Sequence, residues 1–141
     1  MNYKELVNEI KMFESFEPMP YSDPEGYPTI GYGTLLPLTE EEAEMLLVKR
    51  LNDTYAELRD RVNFFDELPD RAKMILLNMG YNLGVPKLME FRRMWAALKE
   101  KDYNKAANEM LDSLWAKQVG RRATYLAAQM RKLGSNWGQI A

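Results

Sequence analysis

The sequence predicts an α+β fold, mostly helical and two-lobed, with one small antiparallel sheet near the N-terminus and a long helix between the lobes. Three observations predict it. Apolar residues recur at spacings of three and four through most of the 141-residue chain, the period of helices that bury one face. Residues 18–33 break that period with a cluster of prolines, glycines and tyrosines that excludes a helix and suits a small twisted hairpin. Charge also divides the chain: residues 1–60 carry 13 acidic and 5 basic side chains, and residues 61–141 carry 8 and 14. An acidic first half and a basic second half suggest two lobes of unlike surface.

The elements follow in order. Tyr3, Leu6, Ile10 and Phe13 form one face of an amphipathic helix over residues 2–13, and Glu14 stands at its C-terminal end. Asp23-Pro24-Glu25-Gly26 is a type I turn signal, with Asp first, Pro fixing φ at the second position and Gly fourth. That turn joins two strands. Thr39 and Glu42 then make a capping box. It opens a helix over about 39–62 whose stripe runs through Leu47, Leu51, Tyr55, Leu58 and Val62.

Beyond the loop NFFDELPD, the segment RAKMILLNMGYNLG is apolar on nearly all sides, as a central buried helix would be, and Gly84 stops it. Leu88, Phe91, Trp95 and Leu98 mark one further helix, Ala106, Met110 and Leu114 another, and Leu126, Met130 and Leu133 the last. The expected organisation is a single domain over 1–141. Its N-terminal lobe covers about 14–45, and its helical C-terminal lobe covers about 63–141 plus the first helix.

At 46% apolar residues the chain can build a core. No run approaches the roughly 20 apolar residues that span a bilayer. The start MNYKELVNEIKMF has charges where a signal peptide's apolar region would lie. A protein made and first held in a cytoplasm is expected, without stable membrane insertion. There is no Cys and no His. That removes thiol nucleophiles, Ser-His-Asp triads and the usual zinc sites, so neither a metal nor a cofactor is expected. Acid-base work falls to carboxylates, or less often to Lys or Tyr. Arg92-Arg93 and Arg121-Arg122 are pairs and form no continuous basic stripe, so nucleic acid is not an expected partner.

Two carboxylates in unlike settings suit glycosidic-bond cleavage, which needs a protonated carboxyl beside the leaving oxygen and an ionised one on the other side of the sugar. Glu14 lies at a helix C-terminus, where the partial negative charge favours the protonated form. Asp23 lies on an exposed turn that leaves it ionised. The hairpin folds Thr29 back beside Asp23, where its hydroxyl can hold a water. The same residues also fit a solvated helix end, a turn former and a β-branched strand residue.

The pattern Glu14, Asp23, Thr29 with its flanks, E-x8-D-x2-G-Y-x-T-I-G-x-G, resembles the T-even phage type of lysozyme, glycoside hydrolase family 24. The resemblance runs on through TEEEAEMLL, LLNMGYNLG and DYNKAANEMLDSLWAKQVGRRA, the last with Trp115, Gln118 and Arg122 in a W-x-x-Q-x-x-x-R pattern. It implies a mostly helical, two-lobed lysozyme-like fold and a muramidase that cleaves the β-1,4 bond between N-acetylmuramic acid and N-acetylglucosamine in peptidoglycan. Glu14 matches the general acid, Asp23 the carboxylate on the water side, and Thr29 the residue that positions that water. Arg122 falls where the family places an arginine near the catalytic glutamate. Leu35 and Tyr81 match sugar-contacting positions, with Asn78 and Asn82 on the same helix as Tyr81.

Two features depart from the family. Thr34 stands where it usually has His, and the pI near 5.3 is acidic where many members are basic. The segment between Leu36 and Thr39 is also shorter than in larger members. As an endolysin, the protein is expected to be a monomer that accumulates in the host cytoplasm. A separate holin then opens the membrane and gives it access to the glycan strands of the wall in the periplasm. A lytic transglycosylase, which needs no water-directing aspartate, and a non-catalytic peptidoglycan-binding module are the alternatives.

Overall fold

The computed structural model describes residues 1–135. The chain divides into two compact units, Met1–Leu46 and a second that begins at Leu47. Among the described residues are eight α-helices and one three-stranded sheet, the α+β class read from the sequence.

The first unit opens with α1, Tyr3–Glu14, N-capped by Asn2, whose side-chain oxygen accepts the Glu5 N–H at 3.0 Å. The helix forms as expected, but its stripe of Tyr3, Leu6, Ile10 and Phe13 stays exposed. The sheet of its own unit does not cover it. That sheet is β1 (Glu17–Ser22), β2 (Pro28–Gly31) and β3 (Thr34–Leu35), antiparallel in the order β1-β2-β3. Pro18 and Pro20 sit on edge strand β1, where a missing N–H is tolerated, and the register shifts between Glu17 and Tyr21. The third strand went unpredicted because it is two residues long. The backbone of Leu36 donates to the Pro28 carbonyl at 2.9 Å and fixes its approach.

Helix α2, Glu40–Arg61, is the long helix expected from Thr39 onward. Its capping box is reciprocal. Thr39 Oγ1 accepts the Glu42 N–H at 3.1 Å, and Glu42 Oε1 accepts the Thr39 N–H at 2.9 Å. Of its expected stripe, Leu58 and Val62 are buried and Tyr55 packs against the core, while Leu47 is exposed.

The core belongs to the second unit. Leu58, Phe65, Ile75, Leu76, Met79, Leu88, Met94, Leu98, Met110 and Met130 are fully buried there. The segment expected as a plain loop contains a 3-10 turn, Phe65–Glu67, that drives the Phe65 ring into this core and edge-on to Tyr55 at 5.6 Å. The central helix is α3, Asp70–Leu83, with its last N–H bonds closed at Gly84. Gly80 lets the helices pass closely: a methyl group there would lie 2.9 Å from Thr54 Cγ2.

Two expected helices are divided. Leu88 belongs to α4, Val85–Met89, and Trp95 and Leu98 to α5, Arg92–Lys99. At the break the Leu88 carbonyl accepts the Phe91 N–H at 3.2 Å and the Trp95 indole N–H at 3.0 Å. Likewise α6, Tyr103–Leu111, stops before Leu114, which opens α7, Leu114–Val119. Ser113 makes the break: its hydroxyl donates to the Met110 carbonyl and accepts the Ala116 N–H. Leu114 is therefore 69% exposed rather than a core residue. Helix α8, Arg121–Leu133, buries Leu126 and Met130 as read from the sequence. Among the described residues no helix is long and apolar enough to cross a membrane.

The capping box gives this fold a pH signature. First the Thr39 backbone N–H and then its hydroxyl hold the Glu42 carboxyl below its ordinary value of 4.5. A carboxyl that titrates lower when folded contributes its stability fully above the ordinary value and loses it as pH falls through the folded one. Thermal melts of Glu42→Gln and wild type should therefore differ at neutral pH and converge as the pH drops below about 4.5. A gap that stays constant with pH would contradict the box's contribution.

Candidate active site

The hairpin between β1 and β2 is built on Asp23. Its carbonyl accepts the Gly26 N–H at 2.9 Å, closing the turn, and Gly26 takes φ +88°, which a glycine adopts freely. Its N–H donates to the Tyr27 carbonyl at 2.9 Å. Its side chain takes part too. Oδ1 accepts the N–H groups of Glu25 and Tyr27 at 2.9 and 2.8 Å. Asp23 Oδ2 has no hydrogen-bond partner among the described residues. One carboxylate oxygen is thus fixed to the turn, and the other is open to a water.

Strand register then brings two of the expected residues together, Thr29 and Leu35. Thr29 pairs with Tyr21 on one side and Leu35 on the other, so the three side chains share a face. Asp23 follows the last residue of β1, and its carboxylate bonds into the turn that joins this strand to β2. Thr29 is 2% exposed, the one buried polar residue among those described, and its hydroxyl donates to the Tyr27 carbonyl at 2.9 Å. With its proton spent there, Thr29 Oγ1 is left as an acceptor for a water's proton. Leu35 is 58% exposed and offers an apolar surface beside it.

Glu14 ends α1, as expected, and is exposed. The next residue, Ser15, donates its N–H to the Lys11 carbonyl at 3.0 Å with φ +61° and ψ 155°, a region occupied almost only by glycine. The Glu14 carboxyl reaches the turn between β2 and β3 and lies against Gly33.

In the second unit, α3 carries the other expected positions on neighbouring turns. Asn78 Oδ1 accepts from Arg122 Nε at 2.8 Å, and the Asn78 carbonyl accepts from Arg122 Nη2 at 3.1 Å. One turn later, Asn82 Oδ1 accepts the Trp115 indole N–H at 2.8 Å. The two asparagines give their side-chain oxygens to α8 and α7 and tie both helices to α3. Tyr81, 43% exposed, lines an open groove of about 620 Å³ with Asn82, Arg50, Asp53 and Glu57. Trp115 and Gln118 line another, of about 530 Å³, with Arg92, Arg93 and Glu109.

The phage lysozyme family profile matches residues 11–132. The chain belongs to the phage lysozyme family. The pre-baseplate central spike protein Gp5 of Enterobacteria phage T4 is 29% identical over an alignment 135 positions long that covers 74% of this chain and 24% of that protein. The probable T4-type lysozyme 1 of Dictyostelium discoideum is 25% identical over 135 residues, 73% of this chain and 79% of its own length. The chain thus spans about a quarter of the spike protein and most of the Dictyostelium relative.

Within this phage lysozyme frame, Thr29 and Leu35 come together on one sheet face, Asp23 holds the turn that precedes β2, Glu14 meets the turn that follows β2, and Asn78 and Arg122 meet each other. Thr34 lies exposed on β3, paired with Ile30. Sequence reading missed the roles of Ser15 and Gly33. The motif held a signal for Gly33, since a glycine beside strand residues marks close approach by another group; Ser15 carried none.

Ser15 holds a conformation that costs a non-glycine residue on the order of 1–3 kcal/mol. Ser15→Gly should raise stability by about 1 kcal/mol in urea denaturation, after the greater freedom of glycine in the unfolded chain is set against it. A loss of stability would show that the serine conformation carries no strain.

Proposed function

We propose that this lysozyme-family chain is a muramidase that hydrolyses the β-1,4 bond between N-acetylmuramic acid and N-acetylglucosamine in peptidoglycan, as an endolysin that reaches the wall after a holin opens the host membrane. Glu14 gives its proton to the glycosidic oxygen as the bond to the anomeric carbon breaks. A water attacks that carbon from the opposite side and loses its proton to Asp23 Oδ2, while Thr29 Oγ1 accepts the water's other hydrogen. This is a single displacement with inversion. The sugar product is set free with the hydroxyl derived from water, and the two carboxyl groups exchange protonation states.

The observation that carries the reading is how the hydrogen bonds of one hairpin leave Asp23 and Thr29. A carboxylate with one oxygen pinned by two backbone N–H groups and one oxygen without a hydrogen-bond partner belongs to the same hairpin as a buried hydroxyl whose proton is already used. Such an arrangement orients a water without reorganising during the reaction. Leu35 supplies an apolar edge for a sugar ring. Peptidoglycan glycan strands are the substrate in this reading, and the protein works as a monomer.

Glu14→Gln keeps the size of the side chain and removes the proton. Asp23→Asn keeps an oxygen for the Glu25 and Tyr27 N–H groups and removes the charge. General acid and base groups contribute roughly 100-fold to 10,000-fold, so each substitution should cut turbidity loss of outer-membrane-stripped cells by at least about 100-fold with little change in melting temperature. Full activity of either variant would remove the corresponding role.

A further inference from the structure

We infer that the turn Gly31-Tyr32-Gly33 is the seat of the Glu14 carboxyl, with Gly33 and Tyr32 as positioning residues for the acid; this rests on the reading of Glu14 as general acid. Two independent observations meet here. A methyl group on Gly33 would lie 2.6 Å from Glu14 Cδ and 3.1 Å from Oε1, and closer still to Oε2, where ordinary contacts run from 3.4 to 4 Å. The Glu14 carboxyl therefore occupies the volume that any other residue at position 33 would fill. The second observation is how the turn is held over the helix end. The Tyr32 ring lies 5.5 Å from the Phe16 ring and has Lys11 Nζ 5.4 Å from its centroid, within the range of aromatic and cation–π attraction. Lys11 and Phe16 flank Glu14 in sequence, one on the last turn of α1 and one just after it. Tyr32 thus fastens the turn on both sides of the acid, and Gly33 leaves the acid its space.

The consequence is positional. An exposed glutamate at a helix end has free rotamers, and a proton donor misplaced by about 1 Å can lose on the order of 100-fold in rate. A bare Cα beside the carboxyl, fixed by the Tyr32 ring, restricts where that proton points. Gly33 has φ +74°, so an alanine there also carries backbone strain, and that cost must be separated from the contact. Gly31 provides the match. It has φ +70° on the same turn, and a methyl group on it would meet nothing within 4 Å.

The test is a comparison of Gly33→Ala with Gly31→Ala, each in the wild-type and Glu14→Ala backgrounds. In melting temperature, Gly33→Ala should lose more than Gly31→Ala, and the excess should vanish when Glu14 is alanine. In kinetics on purified peptidoglycan, Gly33→Ala should lower kcat by about 100-fold with KM nearly unchanged, and should move the limb of the kcat pH profile that Glu14→Gln abolishes. Gly31→Ala should leave that limb in place. Equal melting losses in both backgrounds, or equal kcat for the two alanine variants, would overturn the inference. If Gly33→Ala does not fold, Tyr32→Leu carries the kinetic test, since it keeps the turn's backbone and removes the ring; an unchanged kcat and pH limb would then overturn it. An active Glu14→Gln would instead remove the role of Glu14, while the melting-temperature coupling between positions 14 and 33 would persist.

Discussion

The hydrogen bonds from the Glu25 and Tyr27 N–H groups to Asp23 Oδ1 are the constraint on which the rest of the candidate site depends. Hydrogen bonds to an ionised acceptor are about twice as strong as neutral ones, and here two of them close one short hairpin. With the turn closed, β2 leaves it in one register only, placing Thr29 opposite Tyr21 and Leu35. A slip of one residue would send Thr29 to the other face. The same strand runs on into Gly31-Tyr32-Gly33, so the turn that receives Glu14 is set by the turn that holds Asp23. One four-residue strand therefore joins the turn that holds Asp23 to the turn that receives Glu14.

The second unit solves a different problem with similar means. Its apolar core fixes the helices but not their rotation or register at the surface, where side-chain amides supply the specificity. Asn78 and Asn82, one helical turn apart on α3, each spend an oxygen on a donor from a distant part of the chain, Arg122 and the Trp115 indole. Leaving either donor without its acceptor would cost roughly 1–3 kcal/mol where it is shielded from water. The groove that Tyr81 lines borders the same helix and includes Asn82.

What could be read from the sequence was what local chemistry decides. The turn at Asp23-Pro24-Glu25-Gly26, the capping box at Thr39 and Glu42, the stop at Gly84 and the helical class each rest on residues within four positions of one another, and each is present. The breaks before Phe91 and Leu114 were hidden because apolar spacing continues across them. What interrupts the helices is Trp95 reaching back to the Leu88 carbonyl and Ser113 to that of Met110. The exposure of the α1 stripe was equally hidden, since periodicity states which face is apolar and not whether anything covers it. Within the site, Glu14, Asp23 and Thr29 were legible as a spaced motif. The fixing of Asp23 Oδ1 and the fit of Glu14 against Gly33 were not, because they depend on atoms that meet only when the strands are paired.

The central claim is that a water held by Asp23 and Thr29 attacks the anomeric carbon. Mass spectrometry of the sugar ends released from purified peptidoglycan in isotope-labelled water tests it most directly. The account predicts reducing N-acetylmuramic acid ends carrying the label from the solvent. Unlabelled anhydromuramic ends would contradict it, since they form by attack of the sugar's own hydroxyl and leave no part for a water-directing aspartate.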